Sequence, residues 1–120
     1  MGDNICMFAY GQTGSGKTHT LTSVTEAAAQ LMIDEMNFSK FDLRVSSLQI
    51  YLEKVQDLLN DAKDVGLAIG ADKKLELKGQ TWRYIDSIAA FNKAKTDSHE
   101  NLKVSATKFN KQSSRSHHIF

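Results

Sequence analysis

Apolar positions along the chain change their spacing from one segment to the next, and each spacing predicts an element. Residues 5–10 (Ile5, Cys6, Met7, Phe8, Ala9, Tyr10) form an unbroken apolar run that stops at Gly11. A short continuous run bounded by glycine predicts a strand buried on both faces, as in a parallel sheet. Residues 11–16 read as a flexible loop. Leu21, Val24, Ala28, Leu31 and Glu35 fall on one helical stripe, apolar except at its end. With Ala27, Ala28 and Ala29 as strong helix formers, this predicts a helix from near Lys17 to about Met36. Residues 41–51 read as a second strand with Leu48, Ile50 and Leu52 alternating, and a helical turn is expected over residues 54–59. Residues 67–69, 75–77 and 82–85 are short strand candidates, punctuated by turns at Asp72-Lys73-Lys74 and Lys78-Gly79. Ser87 is a suitable N-cap for a helix over residues 88–98, with Ile88 and Phe91 facing inward. Residues 109–115 read as a polar loop, and residues 118–120 begin a further strand.

Strand, helix, strand, small strands, helix, strand is the order of an α/β protein, here with a mostly parallel sheet flanked by helices. The chain stops on an apolar strand start, and a buried parallel strand needs neighbours on both sides. Two or three long strands do not supply them, so the predicted fold is incomplete. Trp82, Tyr84 and Phe91 are expected as core or sheet residues.

Composition narrows the class. The length of 120 residues allows at most one domain. Lys plus Arg (15) nearly equals Asp plus Glu (14), so charge argues for neither a nucleic-acid nor a membrane partner. One cysteine, Cys6, excludes an internal disulfide and fits a reducing compartment. The apolar run near the start is too short to cross a membrane and lacks the basic flank of a signal peptide. A cytoplasmic location is expected, without membrane insertion.

The chemistry is concentrated at Gly11-Gln12-Thr13-Gly14-Ser15-Gly16-Lys17-Thr18, which fits G-x-x-x-x-G-K-[ST]. Glycines at this spacing let successive backbone N–H groups turn inward and form an anion-binding concavity. A helix starting at Lys17 adds its positive N-terminal end. Lys17 can place an ammonium on the β- and γ-phosphates, and the Thr18 hydroxyl can hold Mg²⁺. A strand before and a helix after the loop argue against a chance glycine-rich turn. Motors, GTPases, nucleotide kinases and ATPases all share such a loop, so it does not by itself name a reaction.

The surrounding residues are more specific. Phe8-Ala9-Tyr10, followed by the loop and His19-Thr20, closely resembles the phosphate loop of kinesin motors. Asn110-Lys111-Gln112-Ser113-Ser114-Arg115-Ser116-His117 resembles the kinesin switch I signature N-x-x-S-S-R-S-H. Between them, Leu48-Gln49-Ile50-Tyr51-Leu52-Glu53-Lys54-Val55-Gln56-Asp57-Leu58-Leu59 is similar to the family's E-I-Y-N-E-x-x-x-D-L-L strand, with Gln49 in place of Glu and Leu52 in place of Asn. Asn101-Leu102 stands where Asn-Arg is common. The three motifs come in the family's order and span almost the whole chain.

The resemblance implies a partial three-layer P-loop NTPase fold over residues 1–120, running from the phosphate loop through switch I. It implies ATP and Mg²⁺ as cofactors, ATP hydrolysis coupled to movement on microtubules, and a place in the cytoplasm on the cytoskeleton. Gly11 to Thr18 would hold the phosphates, and His19 would help hold the adenine or, alternatively, stand exposed on the first helical turn. Thr18 and Ser114 would hold Mg²⁺. Asn110 and Ser113 would position the attacking water and the phosphate, and Arg115 would pair with a switch II glutamate. Taken alone, Ser113 to Ser116 would read as a solvated serine loop. The family's switch II motif D-x-A-G-S-E lies beyond these residues, so the isolated chain is expected to be a fragment with little turnover. Two alternatives stay open. One is another phosphate-loop enzyme, such as the myosins with their similar S-S-R motif, although Ser116-His117 and the Tyr10-Gly11-Gln12-Thr13 lead-in favour kinesin. The other is a non-catalytic fragment. Lys73, Lys74 and Lys78 read as a solvated turn, and by resemblance the turn would face acidic tubulin. His117 and His118 are adjacent and would point to opposite faces of a strand, so a shared metal site is not expected. His99 has no evident partner in the sequence.

Overall fold

The computed structural model describes residues 3–12, 14–109 and 116–120, the side chains of 106–109 excepted. It divides into two compact units, Met1–Met36 and Asn37–Phe120.

The first unit is a loop and one long helix. Residues 3–12 are irregular, and Ile5, Met7, Phe8 and Tyr10 are exposed, Tyr10 at 97%. The strand expected over residues 5–10 is therefore absent. Its apolar run is a signal for burial, but a strand exists only by pairing, and no described strand pairs with it. The helix α1 spans Lys17–Glu35, close to expectation. Gly16 forms its N-cap in the left-handed region, and the N–H of Met36 donates to the Met32 carbonyl at its other end.

The second unit holds the sheets. Short strands β1 (Arg44–Val45) and β6 (Arg83–Tyr84) pair antiparallel, Val45 opposite Arg83. The larger sheet contains β2 (Leu48–Tyr51), β3 (Lys54–Asp57), β4 (Lys63–Ile69), β5 (Leu75–Lys78) and β7 (Ser116–Ile119), in the order β5-β4-β3-β2-β7. The helix α2 spans Ile88–Phe109. Every pairing is antiparallel, so the mostly parallel sheet expected from the sequence is not what the described residues form. β2, β3, β4 and β5 follow one another through short turns, which only antiparallel neighbours allow.

Three further expectations change. The strand predicted over residues 41–51 is two strands, because β1 and β2 belong to different sheets and the chain breaks between them at Ser46 and Ser47. Residues 54–57 are strand rather than a helical turn, since Leu52 and Glu53 reverse the chain and bring Val55 opposite Ile50. Leu52 accepts a left-handed backbone there (φ 54°) and is exposed, so it is not the third member of an alternating face. The helix expected to end near Ser98 continues to Phe109. Trp82 and Tyr84 are exposed, and the Arg44 guanidinium lies 5.4 Å from the Tyr84 ring centroid. Phe91 is buried as expected.

Strand alternation separates two faces of the larger sheet. Leu48, Ile50, Val55 and Val65 pack together on one. Ser47, Gln49, Gln56 and His118 belong to the other, where Gln49 stands opposite both Gln56 and His118. The helix α2 covers this polar face. Ser87 caps it, its hydroxyl accepting from the Ala90 N–H at 3.2 Å. Its buried positions Phe91, Ala94, Ser98 and Ser105 recur at helical spacing. Phe91 meets the Phe120 ring edge-on at 5.7 Å, and Asn101 donates to the Leu58 carbonyl at 2.9 Å. Asp57, fully buried at the end of β3, accepts from the Leu59 N–H (2.9 Å) and the Thr81 N–H (2.5 Å). One carboxylate thus holds the turn after β3 and the approach to β6.

Candidate functional site

The phosphate-type loop is shaped by its glycines. Gly14 and Gly16 have φ of 83° and 88°, a region that costs an L-residue roughly 1–2 kcal/mol. A Cβ at Gly11 would stand 2.7 Å from Ser15 Oγ, so the serine hydroxyl would have to turn aside. The Ser15 N–H donates to the Gln12 carbonyl at 3.2 Å, which bends the chain toward the helix. The first helical bond runs from Thr20 N–H to the Gly16 carbonyl at 3.0 Å. Helix geometry therefore leaves the N–H groups of Lys17, Thr18 and His19 without intrahelical acceptors. No acidic residue occupies the first turn, so the positive end of α1 is not neutralised locally.

Lys17 folds back over this loop. Its Nζ donates to the carbonyls of Gly11 (2.5 Å) and Gln12 (2.8 Å). Gly11, Gln12, Ser15 and Lys17 thus lie together in one turn. Thr18 and His19 follow on the first turn of α1, both exposed. Free N–H groups at a helix start, with an ammonium and a hydroxyl beside them, are groups that can bind an anion. Among the described residues, no group of three or more His, Cys, Asp and Glu side chains could hold a metal ion. Thr13 of the loop and Asn110, Ser113, Ser114 and Arg115 of the second motif lie outside the described residues. What is described is where that second segment departs and returns, at Phe109 on α2 and Ser116 on β7.

Two polar clusters in the second unit escaped the sequence reading. In the first, Ser47 Oγ and Ser98 Oγ lie 2.6 Å apart, and His118 Nε2 is 2.9 Å from the former and 3.3 Å from the latter. Both serines are fully buried. Much of His118 is exposed, but its Nε2 edge is turned inward onto the two hydroxyls. Burial of that edge pushes its pKa down to about 4, and the nearby His99 ring adds to the effect. His99, which had no partner in the sequence reading, lies 6.0 Å from His118, centroid to centroid. Its own pKa is lowered by burial, then by Lys95 and Lys103. In the second cluster, Asp97 of α2 accepts from Arg83 of β6 at 2.5 Å and from Lys93 at 2.9 Å. Those hydrogen bonds, Arg83 first, hold the Asp97 carboxyl below its usual range. The first cluster carries no sequence signal, because Ser47 and His118 are 71 positions apart, whereas the Lys93–Asp97 spacing of four on α2 is a signal that could have been read.

At the turn between β4 and β5, Lys73 and Lys74 are exposed, and Lys74 pairs with Asp72 at 3.2 Å. This agrees with a solvated turn. Among the described residues, no helix is long and apolar enough to cross a membrane.

The family model of the kinesin motor domain matches residues 1–120. The chain is 34% identical over 134 aligned positions to the kinesin heavy chain of Doryteuthis pealeii, covering 99% of this chain and 14% of that one. It is 37% identical to the kinesin heavy chain of Caenorhabditis elegans, again over 99% of this chain and 16% of the relative. The chain thus spans about a sixth of these relatives or less. A solved structure of a fast kinesin, reported for its ATPase mechanism and interactions with microtubules, aligns with a TM-score of 0.78 at 26% identity, over 92% of this chain and 36% of that one. With the family matched along its whole length, the chain belongs to the kinesin motor domain family.

Proposed function

We infer that residues 1–120 are the part of a kinesin motor domain, from phosphate loop through switch I, that binds ATP in a microtubule motor. The observation that carries this reading is the turn at Gly11 to Gly16, which delivers the chain into α1 with the Lys17 ammonium held over the loop. Bound ATP with Mg²⁺ supplies the γ-phosphoryl group whose hydrolysis drives such a motor.

In this reading the chain's own residues have separate tasks. The N–H groups from Gly14 to Thr18 bind the phosphate oxygens. Lys17 exchanges its two carbonyl acceptors for the β- and γ-phosphates, a charge-assisted contact stronger than the ones it leaves. Thr18 and Ser114 hold the cation, and His19 faces the base. Asn110 and Ser113 orient water toward the γ-phosphate, and Arg115 holds the segment through a carboxylate partner. Phosphoryl transfer asks chiefly for such positioning and charge stabilisation. The partner is the microtubule, with Lys73, Lys74 and Lys78 presented toward its acidic surface, and the location is the cytoskeleton.

The test is ATP titration of the full-length protein and its Lys17→Ala variant. Affinity is expected to fall by about 1.5–3 kcal/mol, roughly 10- to 150-fold. Unchanged affinity in the variant would remove the phosphate-site assignment.

A further inference from the structure

The two faces of the larger sheet differ in kind. On one, Leu48, Ile50, Val55 and Val65 pack as an apolar cluster. On the other, the register sets His118, Gln49, Gln56 and Asp64 side by side across β7, β2, β3 and β4. Residues directly opposite on adjacent strands stand about 5 Å apart, so these four form one polar row. The helix α2 lies over that face, and what it brings is mostly small or polar. Of its buried positions Phe91, Ala94, Ser98 and Ser105, only Phe91 is large and apolar.

Two members of the row are poorly matched to their cover. Gln49 and Gln56 are only 4% and 6% exposed, yet among the described residues no donor reaches the Oε1 atom of either. Gln56 donates its Nε2 to Asp64 Oδ1 at 3.4 Å, but its oxygen accepts nothing. A buried amide oxygen without a donor bears its desolvation in full. Water relieves that penalty once α2 lifts, and the backbone bonds between β2 and β3 need not break for this to happen. Each orphaned oxygen therefore lowers the closed population against the open one by roughly 5- to 150-fold.

The fastenings of α2 are of similar size. Ser98 Oγ lies 2.6 Å from Ser47 Oγ, and Asn101 Nδ2 donates to the Leu58 carbonyl at 2.9 Å. Each neutral bond of this kind favours the closed state by only roughly 2- to 13-fold, because water replaces the lost partner on opening. Two orphaned oxygens thus offset both. The apolar face has no such weakness, so the sheet outlasts the helix that covers its polar side.

We propose that α2 is a separately opening unit of this fold, loosened by the buried carboxamide oxygens of Gln49 and Gln56, and free to change position while the sheet stays intact. The inference concerns the second unit alone and stands whether or not the phosphate loop binds nucleotide.

The experiment is amide hydrogen exchange in the full-length protein at increasing, sub-denaturing urea. Amides in the middle of α2, from Lys95 to Leu102, are expected to be at least about 10-fold less protected than the Leu58 N–H, which donates to the Ser47 carbonyl, and than the amides bonded between β2 and β3. Their exchange should also depend less on urea, because a local opening exposes less surface. Equal protection and equal urea dependence in helix and sheet overturn the proposal, and this measurement needs no variant to fold. Gln49→Met then tests the cause, since it removes the oxygen at nearly constant volume. Protection across α2 is expected to rise about 5-fold or more, and the sheet amides gain with it because unfolding also hydrates that oxygen. Unchanged or lower protection of α2 in Gln49→Met overturns the orphaned oxygen as the cause.

Discussion

The two units of this chain solve different problems. In Met1–Met36 the organised features are local: a glycine turn, a left-handed N-cap and a lysine folded back over six residues. Its apolar run over residues 5–10 has no strand to pair with and stays exposed among the described residues. In Asn37–Phe120 the organising contacts are distant in sequence, such as Ser47 with His118 and Asp57 with Thr81. On the proposed function, a substitution in the phosphate-type loop of the first unit should change ligand affinity with little effect on stability, and a substitution at a buried hydrogen-bonded residue of the second should do the reverse.

The largest expected effect is on stability, at Asp57. Asp57→Ala strands the Leu59 and Thr81 N–H groups in a buried site, at about 1.5–3 kcal/mol for each hydrogen bond to a charged group. A total loss of about 3–6 kcal/mol is expected in urea denaturation, with the phosphate loop itself untouched. A loss below about 1 kcal/mol would mean that the second unit is not held as described.

Lys17→Ala inverts the pattern. Its loss of about 1.5–3 kcal/mol should appear in ATP titration, while the urea midpoint stays nearly constant because the ammonium is tied only to loop carbonyls. If stability fell as far as it does in Asp57→Ala, the contrast between the units would not survive.

Gly16→Ala is a smaller probe of the same loop. An L-residue at φ 88° carries a strain of roughly 1–2 kcal/mol, expected as weaker nucleotide binding and fraying at the start of α1. Amide hydrogen exchange at Thr20 and Leu21 measures the fraying. Unchanged exchange would show that the cap is dispensable.

At neutral pH the smallest effect is that of His118, whose contribution appears only as the solution is acidified. Its pKa is about 4 in the fold against an ordinary 6.5. Between these values the unfolded chain takes up a proton that the folded ring refuses. Stability is therefore lost as pH falls from about 6.5 toward 4, and no further loss comes from this group below that. His99, shifted the same way, adds to the slope. Asp97 acts in a separate window, because its lowered pKa contributes stability that is lost only as pH falls below the ordinary 3.8. Melting temperatures at a series of pH values should show a shallower decline over the histidine window in His118→Gln, with the Asp97 window unchanged. An unaltered slope would remove His118 from the account.

Much of the local structure was legible in the residues. The glycine spacing, Lys17 and the alanine-rich stripe led to the loop and to α1, and Ser87 led to the start of α2. Each is decided within about one helical turn or one tight turn, where backbone sterics and capping act directly on neighbouring residues. The sequence also carried the family, because the phosphate loop, the strand near Ile50 and the switch-like segment are contiguous motifs. Pairing was decided elsewhere. An apolar run states that burial is wanted but not which strand supplies it, so residues 5–10 were read as a strand that does not form and residues 54–57 as a helical turn that is β3. The antiparallel order β5-β4-β3-β2-β7, the buried Asp57, the Arg83–Asp97 pair and the Ser47–Ser98–His118 cluster exist only once distant segments meet. Hydrogen bonds between strands, and the desolvation that shifts His118, are properties of that meeting, and no residue carries them alone.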